Sequence, residues 1–228
     1  MTKRLLFCLL AIVLCAPGIS SDGTAKATSY STKFSRTENP ISEGGRWITG
    51  GLVGLDWADV QTISGRAVGT ASTVAYSDPT AVLTGTWGPD QTVEATVYSR
   101  NQTDTFYQEV ELRLRTSIAP HRITGYEVLF RCLKTGAAYA QIVRWNGPLG
   151  SFTYLASRDG ARFGVGDGDV VEASIVGSVI KGYVNGVEVV SATDSTYSDG
   201  NPGMGFNYGV GNTFPDFGFT SFSATTPP

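Results

Sequence analysis

Residues 179–190 read "VIKGYVNGVEVV", and this stretch decides the fold class. Asn185-Gly186 is a two-residue turn, because both residue types accept the positive φ of a type I′ hairpin. The flanks are rich in β-branched and aromatic side chains, as strands are. Counting outward pairs Val184 with Val187, Gly182 with Val189 and Ile180 with Ser191. That face is mainly apolar and is expected to point inward, leaving Lys181, Tyr183 and Glu188 on the other.

The same period of two recurs along the chain, and no long segment carries a capped 3.6-residue apolar period. In "TVEATVYS" (92–99), Val93, Ala95 and Val97 alternate with Thr92, Glu94 and Thr96. The cleanest case is "YQEVELRLRTS" (107–117), with Val110, Leu112 and Leu114 on one face and Glu109, Glu111, Arg113 and Arg115 on the other. "GYEVLFRC", "AYAQIVRW" and "SFTYLAS" follow, with turns expected at Asn146-Gly147 and Asp159-Gly160. The last strand is expected in "DFGFTSFSAT" (216–225), with a register kink near Ser221 or Phe222. Around a dozen short strands divided by Gly, Asn and Asp turns predict an all-β, two-sheet antiparallel β-sandwich or jelly roll.

The N-terminus reads as a leader. Lys3 and Arg4 precede an apolar run from Leu5 to Ala16, of h-region length and shorter than the roughly 20 residues a bilayer requires. Residues 1–27 are therefore expected to be a signal peptide and short N-terminal segment, cleaved between 20 and 27. One domain is expected over 28–224, with "TTPP" (225–228) as a frayed tail. The implied location is extracellular or periplasmic, with no membrane association after cleavage. Losing Lys3 and Arg4 takes the formal charge of −3 to about −5. No basic run remains, so nucleic acid is not an expected partner. Cys8 and Cys15 lie in the leader, which leaves Cys132 as a single buried thiol with no disulfide partner. The domain is expected to act as a monomer.

The hairpin belongs to a longer phrase: "GDGD" (166–169), a strand, "YVNG" (183–186), "PGMGF" (202–206) and a final aromatic strand. "FSRTENPISEGGRW" (34–47) supplies a matching opening phrase. Together these resemble the concanavalin A-like lectin/glucanase superfamily, and in particular the laminin-G-like jelly-roll domains of bacterial secreted proteins. The resemblance covers most of the mature chain. It rests on turns and core residues, so it implies an architecture and not a ligand.

What it implies functionally is a polysaccharide or glycan partner on a concave sheet face. Arg113, Arg115, Arg131, Tyr139, Gln141 and Trp145 are the expected ligand-binding residues. The alternatives are a glycoside hydrolase or polysaccharide lyase on the same fold, and a non-catalytic adhesion module. For an enzyme, the candidates are Glu109, Glu111, Arg113 and the one histidine, His121. Carboxyls two apart on a strand stand about 6.5–7 Å apart, at the short end of the inverting-glycosidase range. The competing reading makes the Glu109–Arg115 row, with Glu127, Arg131 and Arg144, a solvated lattice of cross-strand ion pairs of a few tenths to ~1 kcal/mol each.

Enzyme signatures on this fold match poorly. The E-x-D-x-x-E of laminarinase-type hydrolases has no counterpart here. Jelly-roll alginate lyases carry R-x-E-L-R and Q-I-H strands. Glu111, Leu112 and Arg113 match the end of the first and Gln141 and Ile142 the start of the second, but Val143 stands where the base histidine belongs. No cofactor is implied. Structural calcium, common in the superfamily, has a candidate in "STYSDGNPGMGFNYG" (195–209) through Tyr197, Asp199, Asn201, Asn207 and Tyr208, which would alternatively form a rim site. The identity of any metal stays open.

Overall fold

The computed structural model describes residues 27–72, 74–208 and 216–227. The expected leader, with Cys8 and Cys15, therefore lies almost wholly outside the described residues. In chain order the strands are β1 (Thr28–Thr32), β2 (Trp47–Thr49), β3 (Val60–Thr62), β4 (Ala67–Gly69), β5 (Thr80–Leu83), β6 (Gln91–Ser99), β7 (Glu109–Ala119) and β8 (Arg122–Arg131). They continue as β9 (Tyr139–Gly147), β10 (Phe152–Asp159), β11 (Val170–Val176), β12 (Val179–Val184), β13 (Val187–Thr193), β14 (Asn201–Asn207) and β15 (Phe217–Thr226). A short α-helix, α1 (Gly50–Val53), follows β2, and a single 3-10 turn spans Ala161–Phe163 among the described residues.

These strands form two antiparallel sheets. One has eight strands in the order β13-β12-β11-β6-β15-β4-β3, with β1 also on β15. The other has seven, β10-β9-β8-β7-β14-β5-β2. The two-residue periodicity read from the sequence is what closes the sandwich. Val110, Leu112 and Leu114 of β7 meet Tyr126, Val128 and Phe130 of β8 on the inner side of the seven-stranded sheet. Val93, Ala95 and Val97 of β6, with Phe217, Phe219, Phe222 and Ala224 of β15, line the other sheet; all lie in one core.

The hairpin forms where expected, with Asn185 at φ 51° and Gly186 at φ 77°. Its register differs beyond the turn. Val184 pairs with Val187 and Tyr183 with Glu188, but a bulge follows, so Gly182 pairs with Val190, Lys181 with Ser191 and Ile180 with Ala192. The extra residue, Val189, keeps Val190 on the buried face beside Gly182 and Ile180. The kink expected in β15 falls between Phe219 and Ser221. The β9–β10 turn lies later than Asn146-Gly147, with the Ser151 N–H donating to Pro148 O. Thr225 and Thr226 pair with Ser29 and Thr28, so the ordered strand takes in two residues of the tail expected to fray. Cys132 is buried and free, and burial pushes its thiol well above the usual range.

Candidate functional site

The outward face of the seven-stranded sheet carries the charged row, and its registers lay out a lattice. Glu109 of β7 stands between Arg131 of β8 and Asn207 of β14. One rung along, Glu111 stands between Leu129 and Gly205, with Gln141 of β9 beyond Leu129. On the next rung Arg113 lies between Glu127 and Gly203, with Val143 beyond Glu127.

This row is not solvated. Glu109, Glu111, Arg113, Glu127 and Arg131 are all buried, which corrects the expectation of an open ionic lattice. The cause is tertiary: chain segments that do not belong to the sheet close over it. Residues 50–58 cross one end, where Leu55 and Trp57 pack on Leu129, Val143 and Trp145 in a second, smaller apolar cluster. Trp57 meets Trp145 edge-on at 5.3 Å, and Trp145 meets Phe152 at 5.2 Å. The 74–80 segment is tied down where the Ala58 N–H donates to Ser77 O and the Thr80 N–H donates to Ala58 O. Arg131 holds the loop before β7 by donating to Asp104 O and the β8–β9 loop by donating to Ala137 O.

Between these walls a cavity of about 400 Å³ remains. Its acidic lining comes from Asp78, Glu109 and Glu127, its amides from Gln141 and Asn207, and its rings include Tyr76, Tyr107, Tyr139, Trp145, Phe152 and Tyr154. Tyr76, Tyr107 and Tyr154 are 54%, 60% and 59% exposed and stand at the rim. Glu109 accepts from the Tyr139 hydroxyl on Oε1 and from Asn207 Nδ2 on Oε2, at 2.7 Å for the latter. Burial nevertheless raises its carboxyl to about 7. Glu127 Oε2 accepts from Trp145 Nε1 at 2.8 Å.

Beneath the cavity lies a fully buried ionic group. Arg113, 0% exposed, is 2.8 Å from Glu111 Oε2 through Nη2 and 2.9 Å from Glu127 Oε2 through Nη1. The first contact is an aligned hydrogen bond; the second is an ion pair by distance alone, because Nη1 lacks an aligned acceptor. Glycine at 205 makes this arrangement possible, since a Cβ there would lie 2.2 Å from Glu111 Oε2 and 2.7 Å from Arg113 Nη2. Burial, then the charge of Glu127, holds the Glu111 carboxyl well above its usual range. Asp78 is raised in the same way, first by burial and then by Glu127 and Glu109.

The structure thus gathers Glu109, Tyr139, Gln141 and Trp145 around one cavity, with Glu111 and Arg113 directly behind it. Trp145 is buried and orients Glu127 instead of offering an open ring face. Arg131 flanks Glu109, engaged by loop carbonyls and lying 5.2 and 5.5 Å from the Tyr107 and Tyr139 ring centres. Two expected residues are elsewhere. Arg115 sits at φ 46° beside a register shift, which turns it out of the row. Its guanidinium donates to Pro89 O, Tyr197 O and Gly177 O, bridging to the eight-stranded sheet. His121 is exposed on the β7–β8 turn, 2.8 Å from Asp56, roughly 30 Å along β7 from Glu109.

The described part of the 195–209 stretch, which runs to Tyr208, is not one loop. Asn201 and Asn207 begin and end β14, Asn201 Nδ2 donating to Leu83 O while Asn207 reaches Glu109. Their separation along an extended strand keeps Asn201 and Asn207 from sharing one site. Among the described residues no group of three or more His, Cys, Asp or Glu side chains is arranged to hold a metal ion. Asp78 had no signal in the sequence; "YSDPT" reads as an ordinary turn. Glu127 had one, since it alternates with Val128 as Glu111 does with Leu112.

The two-sheet arrangement is that of the concanavalin A-like jelly roll. No protein-family model matches the chain, and no curated protein sequence does. Solved structures do. The chain is similar to the carbohydrate-binding module CBM66 from Bacillus subtilis, at 18% identity over 79% of this chain and 92% of that one, with a TM-score of 0.50. A Bacillus licheniformis beta-glucanase matches at 13% identity over 87% and 98%, TM-score 0.54. The metal-free carbohydrate recognition domain of Emp46p matches at 14% over 86% and 95%, TM-score 0.58. Identities this low speak to the fold alone.

Proposed function

We propose that the protein is a secreted carbohydrate-binding domain whose ligand lies in the groove on the seven-stranded sheet. The observation that carries this reading is the cavity itself, in which three half-exposed tyrosine rings stand over carboxylate and amide groups. Sugars present C–H edges to flat rings and hydroxyls to carboxylates and amides, and the volume lies within the range of small-ligand sites. The neighbours described as carbohydrate-binding or carbohydrate-recognising support the same reading. An adhesion patch would need neither the enclosure nor the buried acids. Secretion rests on the leader-like N-terminus; among the described residues no helix is long and apolar enough to cross a membrane.

Glycan arrays and affinity electrophoresis against neutral, acidic and amine-bearing polysaccharides test it. Tyr107→Ala and Tyr154→Ala are each expected to weaken binding about tenfold, in line with one lost ring contact, with the unfolding midpoint unchanged. Blank results across all polysaccharides end the proposal.

A second reading, glycoside cleavage, is favoured by one feature: Glu109 titrates at about 7 in a cavity holding two further carboxyls, the inventory for paired acid and base work. In that reading Glu109 is the proton donor. Glu109→Gln should abolish release of reducing ends while leaving binding in place; cleavage that persists in the variant removes it.

A further inference from the structure

Every titratable side chain facing the cavity is a carboxyl group or a tyrosine hydroxyl; Asp78, Glu109 and Glu127 supply the acids, and no Lys, Arg or His lines it. The two nearest guanidiniums are already engaged, Arg113 by Glu111 and Glu127 and Arg131 by the carbonyls of residues 104 and 137. Asp78 is the sharper observation. It is 8% exposed, it lines the cavity, and among the described residues its carboxylate has no hydrogen-bond or ion-pair partner. A buried carboxyl group without a partner is costly to ionise, so an occupant that offsets the charge is favoured in the space it lines.

Resting on the carbohydrate-binding reading above, we propose that the groove selects saccharides bearing a free ammonium group, that is, amino sugars with an unacylated amine. An ammonium brings three donors and one positive charge. Here it meets acids delivered from three separate places, the segment before β5, the start of β7 and the middle of β8. The rims of Tyr76, Tyr107 and Tyr154 present electron-rich faces that attract a cation within about 6 Å. A neutral sugar meets these acids in their protonated form and gains nothing from charge, whereas an ammonium offsets the cost of ionising them. A uronate or sulfated sugar adds like charge and is rejected.

The test is calorimetric titration of the purified full chain with matched oligosaccharides, α- and β-linked, of glucosamine and galactosamine. The N-acetylated, glucose, galactose and uronate counterparts form the other arms. The amine-bearing oligomers are expected to bind at least tenfold more tightly than acetylated or neutral ones, with no uronate binding. The preference should shrink in 1 M salt. It should fall below threefold in Asp78→Asn, and Tyr154→Ala, at an exposed rim position, should reduce it independently if Asp78→Asn does not fold. Equal affinity for amine and neutral arms overturns the charge inference and leaves carbohydrate binding standing. Failure of every arm to bind overturns both.

Discussion

Glu109 is held by two donors, yet burial outweighs them and its carboxyl rises from an ordinary 4.5 to about 7. A group that binds its proton more tightly when folded stabilises the fold most below its unfolded value. That contribution is lost as the pH climbs through the folded value. Asp78 and Glu111 are shifted in the same direction. Stability is therefore expected to fall between about pH 4.5 and 7, and Glu109→Gln should flatten part of that slope in urea unfolding measured across the range. A slope of opposite sign would show these acids ionised and well paired.

Arg113 carries the opposite charge and the opposite risk. It is fully buried between Glu111 and Glu127, so Arg113→Met leaves these two acids facing each other without a counter-charge. Removing one partner of a buried pair costs about 3–5 kcal/mol. The expected result is a loss of that size in the unfolding free energy from urea titration. Adding Glu111→Gln to the variant should recover part of it, because the repulsion then loses one side. A loss under ~1 kcal/mol would mean that water reaches the group.

At the scale of elements, β14 explains how two charged side chains lie flat across a neighbouring strand. Its sequence, "NPGMGFN", reads as a turn because of Pro and two glycines, yet it pairs with β7 on one side and β5 on the other. Gly205 lacks the side chain that would displace Glu111 and Arg113. Gly205→Ala is expected to cost about 1–3 kcal/mol as an overpacked site and to distort the groove, read as a loss of ligand binding larger than the loss of stability. Wild-type affinity in this variant would show that the pair can move aside. The β12–β13 hairpin gives the complementary case. Its turn was legible because Asn-Gly has few other uses, whereas its bulge was not, because Val189 and Val190 are chemically alike and only the packing against the other sheet distinguishes them.

At the scale of the whole molecule, the first and last strands pair, β1 against β15, and the described residues contain no disulfide, Cys132 being free. Stability comes from the core between the sheets. Cys132 sits in that core, and its thiol is held protonated by burial. Thiol reagents are expected to label it only at the rate of global unfolding, with no dependence of the unfolding midpoint on reductant. Fast labelling of the native protein would place an opening motion at the end of β8.

The sequence by itself determined the fold class, because side chains alternate across a strand and one face of each must be apolar for two sheets to stack. That local rule placed Val110, Leu112 and Leu114 inward and the Glu109, Glu111 and Arg113 row outward. It failed at Arg115, where a positive φ beside a register shift reverses the parity. Only the tertiary structure decided what the outward row became. Alternation reports which side of a sheet a residue takes, and says nothing of whether segments distant in sequence will cover that side. Residues 50–58, 74–80 and the loop before β7 supply that cover, and with it the burial of Asp78, which has no partner among the described residues, the burial that shifts Glu109, and the walls of the groove.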